Sequence, residues 1–176
     1  MKKAAFLDRD GVLNRKAPEG QYVTQWEEME FLPGTREAIR LLNEAGFFVV
    51  VVSNQRCVAK GLITVAELES MHARMRQEFL AAGAKIDAIY YCPHENQPPC
   101  SCRKPQPGMI LDAARAHDIE LSASWMIGDS EHDVEAGRSA GCKTAWLIEQ
   151  AKSASGSPDV ISATLLDAVR KILQVR

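Results

Sequence analysis

The chain has 176 residues, 46% of them apolar, enough for one domain with a real core and too few for two large ones. A net charge of -2 argues against a nucleic-acid partner, which would favour a basic face. The longest purely apolar run, Phe47 to Val52, falls far short of a membrane span, and Asp8-Arg9-Asp10 cuts the apolar stretch behind Met1-Lys2-Lys3 too early for a signal peptide, so a cytoplasmic protein without a membrane partner is expected.

Ala4 to Leu7 is an apolar run that stops at Asp8-Arg9-Asp10-Gly11, the pattern of a buried strand ending in a loop. Thr35 to Ala45 carries Ala38, Leu41, Leu42 and Ala45 at helical spacing, with Gly46 as its stop. Phe47 to Val52 reads as a strand buried on both faces. Thr64 and Glu67 form a capping box, opening a helix through Leu68, Met71, Met75, Phe79 and Leu80 to Gly83. Ile86 to Tyr91 is the next strand, and Pro107 suits the first turn of a helix running to about Asp118. Trp125 to Ile127 is a short strand, Asp133 to Ala140 a helix ending at Gly141, and Thr144 to Ile148 another strand. Ala151 to Pro158 reads as a small-residue loop, and Ser162 as the cap of a last helix over Thr164 to Leu173. This alternation implies a Rossmann-like, doubly wound α/β fold: a mostly parallel sheet, right-handed crossovers and helices on both faces, in a single domain spanning 1–176.

Chemistry-bearing residues cluster where these strands end. Asp8 and Asp10 follow the first strand, Ser53-Asn54-Gln55 the second, and Gly128-Asp129 with Asp133 follow Trp125 to Ile127, while Arg103-Lys104-Pro105 precedes the helix opened by Pro107. Singly, each has an ordinary reading: D-x-D-G as a solvated turn, Ser53 as a turn residue, Lys104 as a solvated charge, Asp133 as a helix N-terminal acid. Jointly they make a phosphoryl-transfer kit. A carboxylate can be the nucleophile, magnesium takes carboxylates from separate loops, and a lysine and a hydroxyl can neutralise the oxygens of the transferring group.

Cys92-Pro93-His94 and Cys100-Ser101-Cys102 form a second constellation, three thiols and one imidazole in a loop over 92–102. The spacing suits a closed, structural Cys₃His zinc site that would pin the loop before Arg103 and Lys104. A disulfide is disfavoured by the compartment and by the unpaired His94, and independent buried cysteines by the Pro-rich polar surroundings.

The ordered set Asp8-Arg9-Asp10-Gly11-Val12, Ser53, Lys104 and Gly128-Asp129 with Asp133 resembles the signature of haloacid dehalogenase-type phosphatases. The resemblance implies that Asp8 attacks phosphorus and that Asp10 protonates the leaving alcohol and later deprotonates water. It further implies that Asp8, Asp129 and the Asp10 carbonyl bind Mg²⁺, that Ser53 and Lys104 hold the phosphoryl oxygens, and that Asp133 supports the metal site. With the zinc loop, Asn14, Tyr22-Val23, Asn54-Gln55, Ala59-Lys60-Gly61 and Arg103 to Met109, the chain is similar to the D-glycero-D-manno-heptose-1,7-bisphosphate 7-phosphatases. Histidinol-phosphate phosphatases, which share the zinc loop, are the nearest competitor, and an idle zinc-stabilised binding domain is a further alternative. The implied substrate is a small phosphorylated sugar contacted by Asn14, Tyr22, Asn54, Gln55 and Arg103, bound by a monomer with no separate cap domain.

One departure is Arg56-Cys57, standing where those heptose enzymes commonly carry a small Ser-Gly pair. Arg56 is expected to reach substrate phosphate, and Cys57 to be either a packed small residue or a reactive thiol. His72 and His117 are expected at the surface or half-buried, His132 near the Asp129 loop, Cys142 as a buried small residue, and the three tryptophans as packing residues.

Overall fold

The computed structural model describes residues 1–148 and 157–174. Among these residues the strands are β1 (Ala4–Leu7), β2 (Phe48–Asn54), β3 (Ala88–Cys92), β4 (Trp125–Gly128), β5 (Lys143–Leu147) and β6 (Val160–Ser162). They form one parallel sheet in the order β3-β2-β1-β4-β5-β6. The helices are α1 (Thr35–Glu44), α2 (Val65–Ala81), α3 (Gly108–His117), α4 (Glu131–Ala140) and α5 (Leu165–Gln174).

Side chains alternate across the sheet, so each strand feeds two cores. Ala5, Leu7, Val49 and Val51 pack with Ile39 of α1, Phe79 of α2 and Val169 of α5. Ala4, Phe6, Val50 and Val52 pack on the opposite face with Ile110 of α3 and Ala136 of α4. Burial on both faces explains why β2 reads as an unbroken apolar run rather than an alternating one. The expected doubly wound architecture is the one observed.

Capping chemistry sets several helix starts. Thr64 Oγ1 accepts from Glu67 N at 3.2 Å while Glu67 Oε2 accepts from Thr64 N at 2.8 Å, the expected reciprocal box. A second box, Ser130 with Asp133, starts α4 at Glu131, two residues before the sequence pattern suggested. The last helix is corrected likewise. Ser162 is not its cap but the final residue of β6, which pairs with β5, and Thr164 Oγ1 instead accepts from Asp167 N at 3.1 Å. Most of the loop expected over Ala151 to Pro158 lies outside the described residues.

The strand order reverses between β1 and β4, placing a crevice at their carboxyl ends, where open α/β sheets bind ligands. A satellite cluster builds one wall of it. Val23 and Met29, from the segment between β1 and α1, pack on Leu68 and Met71 of α2 together with Cys57 and Ile63.

Candidate active site

Two glycines let the β1 and β4 loops approach each other. Gly11 has φ +92°, and a Cβ there would lie 2.2 Å from Asp129 Oδ2. At Gly128 a Cβ would lie 2.1 Å from Asp133 Cβ, so only glycine lets the end of β4 meet the first turn of α4. Asp8 N donates to Ile127 O at 3.0 Å, tying the start of the D-x-D-G loop to β4.

Lys104 lies at the centre of the charges, its side chain 3% exposed. Its Nζ is 2.9 Å from Asp8 Oδ1 and 2.6 Å from Asp133 Oδ1, and it donates to Val52 O at 2.8 Å. Burial works against the ammonium, but Asp133 and Asp8 outweigh it and raise its pKa, so it stays charged. Burial likewise pushes the Asp8 carboxyl up, to about 7, with Asp133 and Asp10 adding to the rise and Lys104 opposing it.

Asp10 is held differently. Arg9 forks onto both its oxygens through Nε and Nη2 at 3.0–3.2 Å, Asn14 Nδ2 donates to Oδ1 and Gln55 Nε2 to Oδ2, both at 2.9 Å. Burial presses its pKa upward, but Arg9 and the two amides prevail and hold it below the usual range. The three donors fix the carboxylate's plane, so both oxygens are already engaged by protein groups.

Asp8, Asp129 and Asp133 each offer an oxygen within 4.8 Å of the others. Asp133 is already engaged, by Lys104 through Oδ1 and by the Ser130 hydroxyl through Oδ2. Asp129 accepts Lys16 Nζ on Oδ2 at 2.9 Å, whereas its buried Oδ1 has no hydrogen-bond partner. A buried carboxylate oxygen left without a donor beside Asp8 is what a hard divalent cation requires, so these residues fit Mg²⁺.

Asp8, Asp10, Lys104 and Asp133 line a cavity of about 370 Å³, large enough for a small phosphorylated metabolite. Ser53, Asn54, Gln55 and Lys104 lie on one side of it, and Lys16, Tyr22, Arg103 and His132 also line it. Ser53 Oγ accepts from Gln55 Nε2 at 2.8 Å. Asn54 spends both ends of its amide on the Lys104 backbone, accepting from Lys104 N at 3.0 Å and donating to its carbonyl at 3.1 Å. Asn14 is fully buried against Asp10 and does not line the cavity.

Arg56 also departs from expectation. It does not line the cavity, because its Nε and Nη2 lie 2.7 and 2.6 Å from Glu95 Oε2. Cys57 is a packed residue, fully buried, whose thiol donates to Gln55 Oε1 at 3.5 Å. His72, expected at the surface or half-buried, is 4% exposed and meets Arg9 Nη1 through Nε2 at 3.1 Å. Arg9, Lys16, His72 and Glu95 are the residues the motifs missed. The polarity and helical placement of His72 favoured a surface position, and an arginine between two aspartates carries no sign of being buried.

The second constellation is assembled as expected. Cys92, His94, Cys100 and Cys102 present ligand atoms within 4.8 Å of one another. Cys102 Sγ lies 3.1 Å from Cys92 Sγ, 3.5 Å from Cys100 Sγ and 3.2 Å from His94 Nδ1. Disulfides need sulfurs about 2 Å apart, and a tetrahedral ion with Zn–S near 2.3 Å needs roughly 3.7 Å. The thiols are free and their spacing fits the ion.

An aspartate pair, a buried lysine and a metal-ready carboxylate at the switch point of a doubly wound sheet define a haloacid dehalogenase-type phosphoryl-transfer hydrolase. Residues 101–168 match a family model described as HAD-hydrolase-like. A Rhodopseudomonas palustris protein named D-glycero-beta-D-manno-heptose-1,7-bisphosphate 7-phosphatase is 41% identical over 145 residues, 78% of this chain and 79% of that protein. A Mycobacterium bovis protein named for the alpha substrate is 40% identical over 131 residues, 74% of this chain and 68% of its own. The crystal structure of a D,D-heptose 1,7-bisphosphate phosphatase from B. bronchiseptica, complexed with magnesium and phosphate, superposes with a TM-score of 0.87 at 34% identity, covering 99% of both chains. The chain belongs to the heptose-1,7-bisphosphate 7-phosphatase family of these hydrolases.

Proposed function

We propose that this protein removes the 7-phosphate of D-glycero-D-manno-heptose 1,7-bisphosphate, acting as a cytoplasmic, monomeric, single-domain enzyme in the supply of lipopolysaccharide or related glycan precursors. The observation that carries this reading is the Asp8–Lys104 ion pair at the cavity, beside Asp129, whose carboxylate comes within 4.8 Å of Asp8 and keeps an unpartnered Oδ1. It is supported by the relatives' names and by the magnesium and phosphate of the B. bronchiseptica structure. Among the described residues no helix is long and apolar enough to cross a membrane.

In this mechanism an Asp8 oxygen attacks phosphorus and the bond from phosphorus to the sugar oxygen breaks. The departing alkoxide takes a proton from Asp10, leaving an aspartyl phosphate. Asp10, now a carboxylate, takes a proton from water as that water's oxygen attacks phosphorus. The bond to Asp8 breaks, phosphate leaves, and the proton has returned to Asp10. Lys104 and Ser53 hold the equatorial oxygens throughout. Mg²⁺ held by Asp8, Asp129 and the Asp10 carbonyl would supply Lewis-acid charge and favour ionised Asp8. The negative charge of the substrate phosphate beside Asp10 opposes Arg9 and favours the protonated acid.

Arg103, Tyr22, Gln55 and Asn54 line the substrate cavity, and Arg103 offers a planar fork suited to a phosphate. Zinc in the cysteine–histidine loop would hold that strand-to-helix segment without entering the reaction. Phosphate release measured side by side on both anomers of the heptose bisphosphate, on hexose bisphosphates and on histidinol phosphate tests the assignment. Preference for a heptose bisphosphate is expected, and preference for histidinol phosphate would overturn it. Asp8→Asn should fold and show no Mg²⁺-dependent turnover, whereas full activity would remove Asp8 as nucleophile.

A further inference from the structure

Arg9 is 1% exposed, and burying a guanidinium costs several kcal/mol unless its N–H groups and charge are satisfied. Its Nε and Nη2 side is spent on Asp10, and its backbone N–H donates to Asp8 Oδ1 at 2.8 Å. This one residue therefore touches both reacting carboxylates. The remaining amino group, Nη1, faces His72 Nε2 at 3.1 Å. A guanidinium can only donate, so Nε2 must be the acceptor and His72 must be neutral with its proton on Nδ1. The imidazole is itself fixed from α2, packed edge-on to the Tyr91 ring at 5.7 Å, while Tyr91 Oη donates to Glu69 at 2.8 Å. Burial and the adjacent Arg9 both depress the His72 pKa, to about 3, consistent with a neutral ring.

We propose that His72 is a positioning residue for the acid–base step, locking the Arg9 guanidinium so that Arg9 in turn fixes the Asp10 carboxylate against the departing oxygen. The inference rests on reading Asp10 as the acid. It assigns a role to a helix residue that lies outside every motif and does not line the cavity. Without an acceptor, Nη1 would be buried and unsatisfied, and the guanidinium would tilt to recover a partner, taking the Asp10 plane with it. Arg9 reaches Asp8 through its backbone N–H and not through the guanidinium, and the lysine clamp is separate, so the loss falls on proton delivery.

The test compares leaving groups. kcat/KM reports events up to departure of the alcohol, and a sugar alkoxide needs a proton where p-nitrophenolate does not. His72→Leu should lower kcat/KM on the heptose bisphosphate by about 10- to 100-fold and on p-nitrophenyl phosphate by less than about threefold. His72→Gln, whose carbonyl can accept from Arg9, should restore most of the loss. An equal fall on both substrates, or no fall in a folded variant, overturns the inference. Asp10→Asn is the control: if it shows no leaving-group dependence, the acid reading of Asp10 fails instead. Should His72→Leu not fold, ¹⁵N-resolved NMR of the unmodified protein decides, because a proton on His72 Nε2 contradicts the proposed contact and a bare Nε2 upholds it.

Discussion

The Arg56 guanidinium lies 2.6 Å from the Glu95 carboxylate and thereby joins the loop after β2 to the cysteine–histidine loop. Both side chains are about a third exposed, so this is a solvent-screened tether between two loops. Its consequence is that Arg56, the expected substrate contact at which the chain departs from the family pattern, is spent on protein, as Asn14 is on Asp10 and Asn54 on the Lys104 backbone. Arg56→Ala should leave the thermal midpoint nearly unchanged and KM for the heptose bisphosphate within about threefold. Arg103→Ala should raise KM by at least about tenfold, since it removes a planar fork from the cavity wall. Steady-state kinetics on the two variants check the pair, and a large KM effect at Arg56 would return it to the substrate.

Gly11→Ala makes a sharper structural prediction. The added carbon would sit 2.2 Å from Asp129 Oδ2 at a backbone φ of +92°. Backbone strain alone costs about 1–2 kcal/mol. Relief requires the two loops to separate, which displaces Asp129 relative to Asp8. The variant should therefore show both a lower unfolding midpoint and a Mg²⁺ requirement raised by roughly tenfold or more, read from activity against metal concentration. A stability loss with unchanged Mg²⁺ dependence would show that Asp129 does not share a cation with Asp8.

Cys100→Ser addresses the other metal. Zinc analysis of the purified protein should find about one ion per chain, and close to none in the variant. Because Gly108 N donates to Ser101 O at 3.0 Å and Asn54 clamps the Lys104 backbone, slackening this loop is felt at Lys104. Activity should fall with the zinc, and proteolysis near 92–102 should speed up. Unchanged metal content would rule out the Cys₃His site.

What the sequence made legible follows from range. β1, β2 and α2 were readable because apolar periodicity and a Thr64–Glu67 box are local signals. Asp8, Lys104 and Asp129 were readable as a set because an open α/β sheet brings successive strand ends together. β6 was not, since three residues, Val160–Ser162, are too few to carry a period and gain their identity only by pairing with β5. Arg9, His72 and Glu95 were illegible for the opposite reason to Asp8. The Arg9–His72 and Glu95–Arg56 contacts join elements far apart in the chain, and a buried arginine or histidine reads in sequence as a surface residue.

The neutral His72 also predicts how stability follows pH. Its ordinary pKa of 6.5 in the unfolded chain falls to about 3 in the fold, through burial first and Arg9 second, with Asp10 opposing. The charged and titratable groups around it are Arg9, Asp10 and Tyr91, with Glu69 behind Tyr91. Above pH 6.5 neither state carries the proton and the contribution to stability is complete. Below it the unfolded chain binds a proton that the fold refuses, so stability falls as pH drops, until the folded group also titrates near pH 3. The slope from this one group is at most about 1.4 kcal/mol per pH unit. Asp10, with its lowered pKa, adds to the same trend, and Asp8, raised to about 7, opposes it, so the wild-type curve alone cannot isolate His72. The difference from His72→Gln can, because Asp8 and Asp10 are common to both proteins. Urea unfolding at pH 7.5 and pH 5 should show the gap between wild type and His72→Gln shifting by roughly 2 kcal/mol in favour of the variant at the lower pH. A gap independent of pH would mean that His72 takes up its proton as readily in the fold as in the unfolded chain, so that burial and Arg9 do not hold the ring neutral.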